Sequence, residues 1–478
     1  MSALRLLRIS IGLLLVPCVA CDSAPADFDR NLILIVVDTL RADHMGLHGY
    51  GRATTPELDR FASERAVVFE NARSTAPWTK PSVASILTGL DPRQHRVLAH
   101  TDALHSSFQT LAKAFGENGW RTHGIQSNPY LLSLFGFDGG FINYEDSFFT
   151  EDERGTVANH DGTTGENVNA RALQWLDQRD ESQPFFLYVH HYEPHHMYLR
   201  EEPQFVDALG SSPDADRREM LAAASMDALT AYTGELLDTD VAYLRARYDS
   251  EILFQDQLLG ELFSGLEQRG LFDNSVVVVT SDHGEEFLEH GDLSHHNDKL
   301  FEELLHVPLL IAAPDVASAR RSDAVSLVDL GSTLLELCGL GGASFPGTSY
   351  AALAHGQLGD HRQIDVVAHG MIPASADGLR LKTESECLVF GSLKLIRNLI
   401  DGSVQLFDLH SDPLEQVNLA TQSSEDVQSL TTRLDTYLEA RGGVGGELPM
   451  ESEALLRSRE DKLKELESIL NAMGYTGD

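Results

Sequence analysis

Two stretches far apart in the chain supply side chains that could bind a divalent cation. Asp38 stands in one stretch, and Asp282 and His283 stand together in the other. Divalent cations prefer hard carboxylate oxygens, and several of them also accept imidazole nitrogen. Two carboxylates and one ring nitrogen are an incomplete ligand set, and a metal-activated nucleophile would complete it. Taken singly, each Asp could instead be a turn or helix-capping residue.

The elements that must bring these residues together are two runs of apolar residues. Residues 31–37 read NLILIVV and directly precede Asp38, whereas residues 275–280 read SVVVVT and lie just before Asp282. Continuous apolar runs of this length are typical of strands whose two faces are both covered by helices. Because ligands bind beyond the carboxyl ends of strands in open parallel sheets, both runs would deliver an Asp to one crevice.

The rest of the pattern predicts an α/β fold followed by a smaller sheet. Alternation of strands and helices favours a doubly wound sheet. A further buried strand is predicted at 185–189, and helical segments are predicted at 111–118, 201–244 and 251–269. Short strands joined by turns indicate a C-terminal antiparallel sheet at 388–390, 393–397 and 404–409. We expect a catalytic domain over 30–345, an α+β subdomain over 346–440 and an amphipathic helix over 445–478.

Length and charge narrow the class of protein. With 478 residues, the chain is long enough for one large domain and a smaller one. Asp and Glu number 73 against 36 Lys and Arg, which gives a formal net charge of −37. Such a surface repels nucleic acids and anionic lipids, so we expect neither as a partner. An anionic substrate would depend on a bound cation and on local donors.

The first 21 residues have the layout of an export signal. Two arginines precede a short apolar run over 11–16, which is too short to span a membrane. The segment ends in Val19-Ala20-Cys21, which resembles a bacterial lipobox and would make Cys21 a lipidated amino terminus. Plain secretion is the alternative. We therefore expect an exported protein of the periplasm or cell envelope that contacts the membrane only through this anchor.

Six ordered blocks are similar to sequences of the sulfatase family, within the alkaline phosphatase superfamily. They begin at Val36, Trp78, Phe185, Thr280, Leu300 and Phe407 and read VVDTLRADHMGLHGYGRATTPELDRFA, WTKPSVASILTG, FFLYVHHYEPHHMY, TSDHGEEFLEHG, LFEELLHVPLLI and FDLHSDPLEQVNLA. The resemblance implies an alkaline-phosphatase-like mixed sheet sandwiched by helices. It implies one divalent cation bound by Asp38, Asp282 and His283, with Ca²⁺ as the family's usual ion and Mn²⁺, Mg²⁺ or Zn²⁺ as alternatives.

The resemblance places the nucleophile at Thr79, eight residues before Leu87 of a Leu-Thr-Gly turn, and makes it a further metal ligand. Pro81 and Gly89 then stand where helices typically begin and end. The Thr79 oxygen, and an anionic ester bound to it, would meet free backbone N–H groups at a helix N-terminus. The alternative is that Thr79 only caps this helix.

At Thr79 the chain also departs from sulfatases that use a modified nucleophile. Those carry Cys or Ser at this position, oxidise it to formylglycine, and have Arg at the position of Val83. The same oxidation of a threonine would give a ketone, so we expect no formylglycine. Thr39 stands where the family has a second carboxylate, which leaves the metal with one negative charge fewer. Thr79 thus resembles the nucleophile of the family's phosphodiesterases and phosphotransferases.

Histidines are expected to contact the ester. His195 matches a family histidine that touches the substrate, and His296 matches one that donates to the substrate or leaving group. His100 falls where related diesterases carry Asn. A lone histidine is often structural, and this alternative stays open for all three. No role is assigned to His190, His191 and His196.

The sequence therefore predicts a metal-dependent hydrolase of sulfate or phosphate esters. Thr79 would attack in line, while His195 and His296 would stabilise the ester oxygens or the leaving group. A threonine nucleophile favours phosphodiester or phosphonate monoester groups carried by a small molecule, a glycan or a lipid headgroup. Two alternatives remain, a phosphotransferase that uses an alcohol acceptor and a non-catalytic relative that keeps only the fold and the metal.

Overall fold

A computed structural model describes residues 30–146, 150–151, 157–158, 164–196, 198–223, 236–293, 299–357, 365–373 and 381–441. Its helices are α1 (Pro56–Arg65), α2 (Thr79–Thr88), α3 (Pro92–His95), α4 (Leu111–Glu117), α5 (Thr164–Gln178), α6 (Pro203–Val206), α7 (Ala215–Ala223), α8 (Asp238–Gln268), α9 (Glu302–Leu305), α10 (Leu330–Leu337), α11 (Ala351–Ala354) and α12 (Ser424–Ala440). Its strands are β1 (Asn31–Val37), β2 (Ala66–Arg73), β3 (Arg121–Gln126), β4 (Asn143–Glu145), β5 (Thr150–Glu151), β6 (Val157–Ala158), β7 (Phe185–His191), β8 (Ser275–Ser281), β9 (Leu309–Ala312), β10 (Ala319–Ser326), β11 (Val366–Pro373), β12 (Leu381–Phe390), β13 (Leu393–Asn398) and β14 (Val404–Asp408).

Eight strands form one mixed sheet in the order β10-β2-β9-β8-β1-β7-β3-β4. Strand β1 pairs in parallel with both β7 and β8, whereas β9 runs antiparallel to its two neighbours. The register places Val37 opposite both His191 and Ser281, so β1, β7 and β8 end at the same edge. The predicted doubly wound, alkaline-phosphatase-like α/β fold is confirmed, and the sheet brings Asp38 and Asp282 to adjoining strand ends.

Alternate residues of β1 are buried in two different cores. The even-numbered residues of 32–36 pack in one apolar cluster with α2, α4 and α10, and the odd-numbered residues of 33–37 pack in the other with α1, α5 and α8. Every residue of β1 is buried. A strand covered by helices on both faces has no solvent-facing side, which explains why its sequence is apolar without alternation.

Helix α8 begins earlier than the sequence predicts. It was expected over 251–269 but runs from Asp238 to Gln268, so the end of the predicted helical segment 201–244 belongs to it. The added turns bury Tyr243 and Leu244 in the same core as the rest of the helix. This continuous apolar face extends the helix through a stretch whose acidic residues suggested a separate element. Helices α6 and α7 lie in the remainder of the predicted segment.

A second sheet of four antiparallel strands follows in the order β11-β12-β13-β14. The three predicted C-terminal strands lie in β12, β13 and β14, whereas β11 had no predicted counterpart. One face of this C-terminal sheet packs on Leu430 and Leu434 of α12, and the other packs on Leu300, Phe301 and Leu305. The small sheet is therefore a separate layer held against the segment that follows β8.

Two predicted segments lie outside the described residues, the export signal at 1–21 and the amphipathic helix at 445–478. Within the described ranges, no helix combines the length and the apolar composition needed to cross a lipid bilayer. The export signal, the terminal helix and the expected domain limits stay predictions.

Candidate active site

The candidate site lies beyond the carboxyl ends of four neighbouring strands. Asp38 directly follows β1, Asp282 and His283 directly follow β8, His190 is near the end of β7, and Asn128 comes shortly after β3. All five residues are completely buried. Because adjacent parallel strands end at a common edge, residues separated by as much as half the chain converge there.

Thr79 enters the site from helix α2, of which it is the first residue. Its hydroxyl oxygen lies 3.3 Å from Nε2 of His283 and 3.5 Å from Nδ2 of Asn128. The alternative in which Thr79 serves as the N-cap is wrong, because Trp78 is the N-cap and the helix has no side-chain cap. The hydroxyl instead faces the buried cluster at the positive end of the helix.

Hydrogen bonds hold α2 against the end of β8. The Ser82 hydroxyl donates to the backbone carbonyl of Asp282 at 2.6 Å, and its oxygen lies 2.8 Å from that of Ser74. The helix ends at Gly89, whose left-handed φ of 66° suits glycine. Position and direction of the Thr79 hydroxyl are thus fixed relative to Asp282.

In each of the two carboxylates, the protein holds one oxygen and leaves the other without a partner. Oδ1 of Asp282 accepts hydrogen bonds from the backbone N–H groups of Thr39 at 3.3 Å and His283 at 2.9 Å. Oδ2 of Asp38 accepts from Nδ2 of Asn128 at 2.5 Å. In the part of the chain that the structure describes, Oδ1 of Asp38 and Oδ2 of Asp282 are buried and have no hydrogen-bond partner.

The electrostatics of the two carboxylates are unequal. Burial raises the pKa of Asp282 well above its ordinary value, and the negative charge of Asp38 raises it further. Burial also opposes ionisation of Asp38, but the hydrogen bond from His190 and the nearby imidazoles outweigh it and lower its pKa. A positive charge between the carboxylates would stabilise both in the ionised form.

His283 supplies a nitrogen turned toward the two unpartnered oxygens. Its Nδ1 donates to the Gly284 carbonyl at 2.8 Å, which directs the lone pair of Nε2 into the site. Nε2 lies 3.6 Å from Oδ1 of Asp38 and 3.7 Å from Oδ2 of Asp282. Burial lowers the pKa of His283, so the ring stays neutral and able to act as a ligand.

These distances fit a single divalent cation. Ligand atoms bound at about 2.1 Å to one tetrahedral ion are about 3.4 Å apart. The separations of His283 Nε2 from the oxygens of Asp38, Asp282 and Thr79 are 3.6, 3.7 and 3.3 Å. A ring nitrogen of His190 and carboxylate oxygens of Asp38 and Asp282 also lie within 4.8 Å of one another, so His190 borders the same space. The structure therefore brings together the four predicted ligands, and the unpartnered oxygens match the chemistry of a cation.

The other predicted site residues are placed less centrally. His195 is buried near Asp38, with Nδ1 donating to the His196 carbonyl at 2.8 Å, and burial lowers its pKa. His100 is exposed, and its ring centroid lies 5.1 Å from that of Trp78, next to the start of α2. His296 lies outside the described residues. The catalytic roles predicted for these histidines stay predictions.

Two residues of the cluster were missed by the sequence reasoning. His190 was left without a role because three more histidines surround it, and Asn128 matches no motif. His190 follows the apolar run predicted as a strand at 185–189, which is the kind of signal that identified Asp38 and Asp282, whereas Asn128 follows β3, whose sequence RTHGIQ is no apolar run. The pairing of β7 with β1 and β3, known only from the structure, puts them beside Asp38.

Comparison with known proteins identifies the family of this chain. The sequence model of the sulfatase family matches residues 30–340. The chain belongs to the sulfatase family. It is 29% identical over 452 residues to the arylsulfatase K of Canis lupus familiaris, an alignment that covers 85% of this chain and 82% of that one. It is 26% identical over 349 residues to the iduronate 2-sulfatase of Mus musculus, covering 62% of each chain.

Solved structures share the fold. A phosphonate monoester hydrolase of Agrobacterium radiobacter superposes with a TM-score of 0.70 at 20% identity and covers 86% of this chain and 96% of its own. A protein solved in complex with its substrate D-glucosamine-2-N,6-O-disulfate superposes with a TM-score of 0.69 at 20% identity, covering 86% and 98%. As a member of the sulfatase family, this chain is an ester hydrolase built on that fold.

Proposed function

We propose that this sulfatase-family chain hydrolyses phosphate diesters or phosphonate monoesters, with Thr79 as the nucleophile and one divalent cation. The observation that carries the proposal is the position of the Thr79 hydroxyl, 3.3 Å from His283 Nε2 in a completely buried cluster with two half-satisfied carboxylates. A threonine hydroxyl with only a structural role would be expected to cap its helix or to face the core.

The nature of the nucleophile favours phosphorus over sulfur. Formylglycine releases sulfate by collapse of its hydrate, and Thr79 cannot form that aldehyde. A threonyl phosphate needs only an activated water for its hydrolysis. Val83, at the position of the family arginine, is completely buried in the apolar core, so no guanidinium supports an aldehyde hydrate there. Phosphonate monoester chemistry occurs on this fold, as the hydrolase of Agrobacterium radiobacter is named for it.

Residues of this chain could bind the cation and orient the ester. When bound to Asp38, Asp282, His283 and Thr79, a divalent cation would lower the pKa of the Thr79 hydroxyl and neutralise charge on the ester oxygens. The N-terminus of α2 offers backbone N–H groups to those oxygens. His195 is buried beside the cluster, and its Nδ1 proton is donated to the His196 carbonyl. Its Nε2 can therefore donate a hydrogen bond to the ester only when the ring is protonated. The burial of every group keeps bulk water from competing.

The donor set also bears on the identity of the cation. Ca²⁺, the ion implied by the family resemblance, takes oxygen ligands, whereas Zn²⁺ and Mn²⁺ accept imidazole. Thr39 replaces a family carboxylate, and its own hydroxyl is buried without a hydrogen-bond partner in the described ranges. One imidazole and two carboxylates therefore favour Zn²⁺ or Mn²⁺, and titration of metal-free protein with Ca²⁺, Mg²⁺, Mn²⁺ and Zn²⁺ tests this choice.

The substrate class is tested with matched aryl esters. We expect kcat/KM for an aryl phosphate diester or phosphonate monoester to exceed that for the corresponding sulfate by at least about tenfold, a barrier difference of ~1.4 kcal/mol. The assays are run with each metal, and intact mass should show an unmodified Thr79. A preference for sulfate in the metal-replete protein would refute the proposal.

The nucleophile is tested separately by substitution. Thr79→Ala should lower kcat by roughly 10³-fold or more, because the loss of a nucleophile leaves only binding and electrostatic catalysis. Thr79→Ser keeps a hydroxyl at the same place and should retain measurable activity. Ser85→Ala is the matched control, since it removes a buried hydroxyl of the same helix that faces His95 instead of the site. Equal kcat for wild type and Thr79→Ala would exclude Thr79 as the nucleophile.

A further inference from the structure

We propose that Asn128, His190 and Tyr188 form a hydrogen-bonded clamp on Oδ2 of Asp38, which leaves only Oδ1 for the cation and restricts the site to a single ion. The proposal builds on the cation site described above. Its three members are positioning residues that act on the metal through Asp38. None of them belongs to the predicted ligand set.

The amide of Asn128 can be oriented without ambiguity. Its Oδ1 accepts the backbone N–H of Tyr130 at 2.8 Å, and an oxygen in that position requires that Nδ2 be the atom that faces Asp38. The backbone N–H of Asn128 donates to Oε1 of Gln126 at 2.7 Å, which fixes the loop itself. The donor therefore points at Oδ2 of Asp38 from a rigid and completely buried position.

His190 supplies a second donor to the same oxygen. Its Nε2 lies 3.4 Å from Oδ2 of Asp38, and its Nδ1 lies 3.0 Å from the Tyr188 hydroxyl. An ionised carboxylate offers only acceptors, so the ring proton is on Nε2 and Nδ1 accepts from the tyrosine. Burial and the negative charges of Asp282 and Asp38 raise the pKa of Tyr188, so its hydroxyl keeps the proton that it donates.

The clamp decides what each oxygen of Asp38 can bind. Oδ2 faces two N–H donors, and a cation placed there would meet their positive ends. Oδ1 has no partner among the described residues and faces His283 Nε2 at 3.6 Å. His190 thus lies within ligand distance of a cation without offering it a lone pair. Because Thr39 supplies no carboxylate, the metal affinity of this chain depends strongly on the fixed orientation of Asp38.

Metal titration of the full-length, metal-free protein with Zn²⁺ and Mn²⁺ by calorimetry tests the clamp. The wild type should bind one ion per chain. His190→Leu removes the donor and should weaken binding by about 10- to 100-fold. His190→Gln places an amide N–H near the original Nε2 and should restore affinity close to that of the wild type. A ring that ligated the metal would not be replaced in this way by glutamine.

A milder substitution removes only one hydroxyl. Tyr188→Phe should weaken binding by about tenfold through the lost bond to His190. The matched control is Tyr144→Phe, because that hydroxyl donates to the Leu131 carbonyl on the same side of the sheet. The control should bind metal as the wild type does, and its melting temperature shows what the loss of a tyrosine hydroxyl costs by itself.

Three outcomes would overturn the clamp. They are two ions per wild-type chain, equal losses of affinity in His190→Leu and His190→Gln, and unchanged affinity in both His190→Leu and Tyr188→Phe. All of these are equilibrium measurements without substrate. A failure of the clamp is therefore distinguishable from a failure of the proposed phosphoester activity, which would appear only in the turnover of esters.

Discussion

Two groups of buried charges in this protein differ in how the charge is balanced. At the candidate site, Asp38 and Asp282 are completely buried, and no described Lys or Arg forms an ion pair with either. The second group, which we call the interlayer cluster, consists of Arg73, Glu302, Lys394 and Glu415. It joins the end of β2 to the C-terminal sheet.

The interlayer cluster contains its own counterions. Arg73 lies 2.8 Å from Glu302, and the completely buried ammonium of Lys394 lies 2.9 Å from both Glu302 and Glu415. Two cations and two carboxylates leave no net charge that needs an outside ion. The candidate site instead has two carboxylates with no Lys or Arg paired to them among the described residues. The difference indicates that the interlayer cluster holds the two sheets together, whereas the carboxylates of the candidate site are suited to binding a cation.

The largest expected effect, on metal binding and kcat, comes from a substitution at the candidate site, where the carboxylates have no counterion. Asp282→Asn should abolish stoichiometric metal binding and lower kcat by roughly 10³-fold or more. The metal-free variant should be at least as stable as the metal-free wild type, because burial and Asp38 make an ionised Asp282 unfavourable. Elemental analysis and melting curves of both proteins measure this. Retention of one ion per chain would contradict the assignment of Asp282.

A substitution in the interlayer cluster should instead lower stability and leave kcat unchanged. Lys394→Met leaves Glu415 and part of Glu302 without a counterion and should cost about 3–5 kcal/mol of unfolding free energy. The kcat of the folded variant should be unchanged. A second substitution, Glu415→Gln, should recover part of the loss because it removes the carboxylate left unpaired.

Denaturant unfolding of the single and double variants, with activity normalised to folded protein, checks the contrast between the two groups. If Lys394→Met lowered kcat as strongly as Asp282→Asn does, the interlayer cluster would be part of the catalytic apparatus. The proposed division between a structural cluster and a cation site would then be wrong.

Binding of a cation at the candidate site should raise the free energy of unfolding. Adding the preferred cation to metal-free protein at 100 times its Kd should stabilise the fold by about 2.7 kcal/mol. Asp282→Asn should gain nothing from the same addition, while Lys394→Met should gain the full increment. Thermal shift at several metal concentrations gives the answer, and an equal shift in Asp282→Asn would mean that the ion binds elsewhere.

The smallest effect is a pH dependence beside the interlayer cluster. Burial lowers the pKa of His290, but the hydrogen bond and negative charge of Glu303, together with Glu415, outweigh burial and raise the pKa above the ordinary value. The stabilising contribution is therefore complete below about pH 6.5 and is lost as the pH rises through the folded-state pKa. The stability advantage of the wild type over His290→Gln should shrink between pH 6 and pH 9 in urea unfolding. A constant difference across this range would show that the imidazole is not charged.

The sequence predicted most of the site residues that directly follow an apolar strand. Asp38 and Asp282 could be placed together because each follows a continuous apolar run, and the Thr79 helix could be bounded by Pro81 and Gly89. Asn128 could not be found in this way, since its importance comes from the pairing of β3 with β7, which is a contact between distant segments.

Other misses have local causes. The start of α8 was misplaced because acidic residues around Asp238 and Asp240 resemble a solvated segment, although Asp240 accepts the Leu237 N–H at the start of the helix. Strand β11 was missed because it gains its stability from pairing with β12 and not from an apolar run of its own. His190 could not be separated from its neighbour His191 until the register showed that the two side chains face opposite sides of the sheet.

All ten residues of helix α2, which begins at Thr79, are buried, and this limits the substitutions that the helix can accept. A formylglycine enzyme built on this chain would require Cys or Ser at position 79 and Arg at position 83. The first exchange preserves size, but the second would place a guanidinium among close-packed apolar side chains, at a cost of several kcal/mol. The packing around Val83 therefore makes the arginine of formylglycine-dependent sulfatases costly to introduce into this chain.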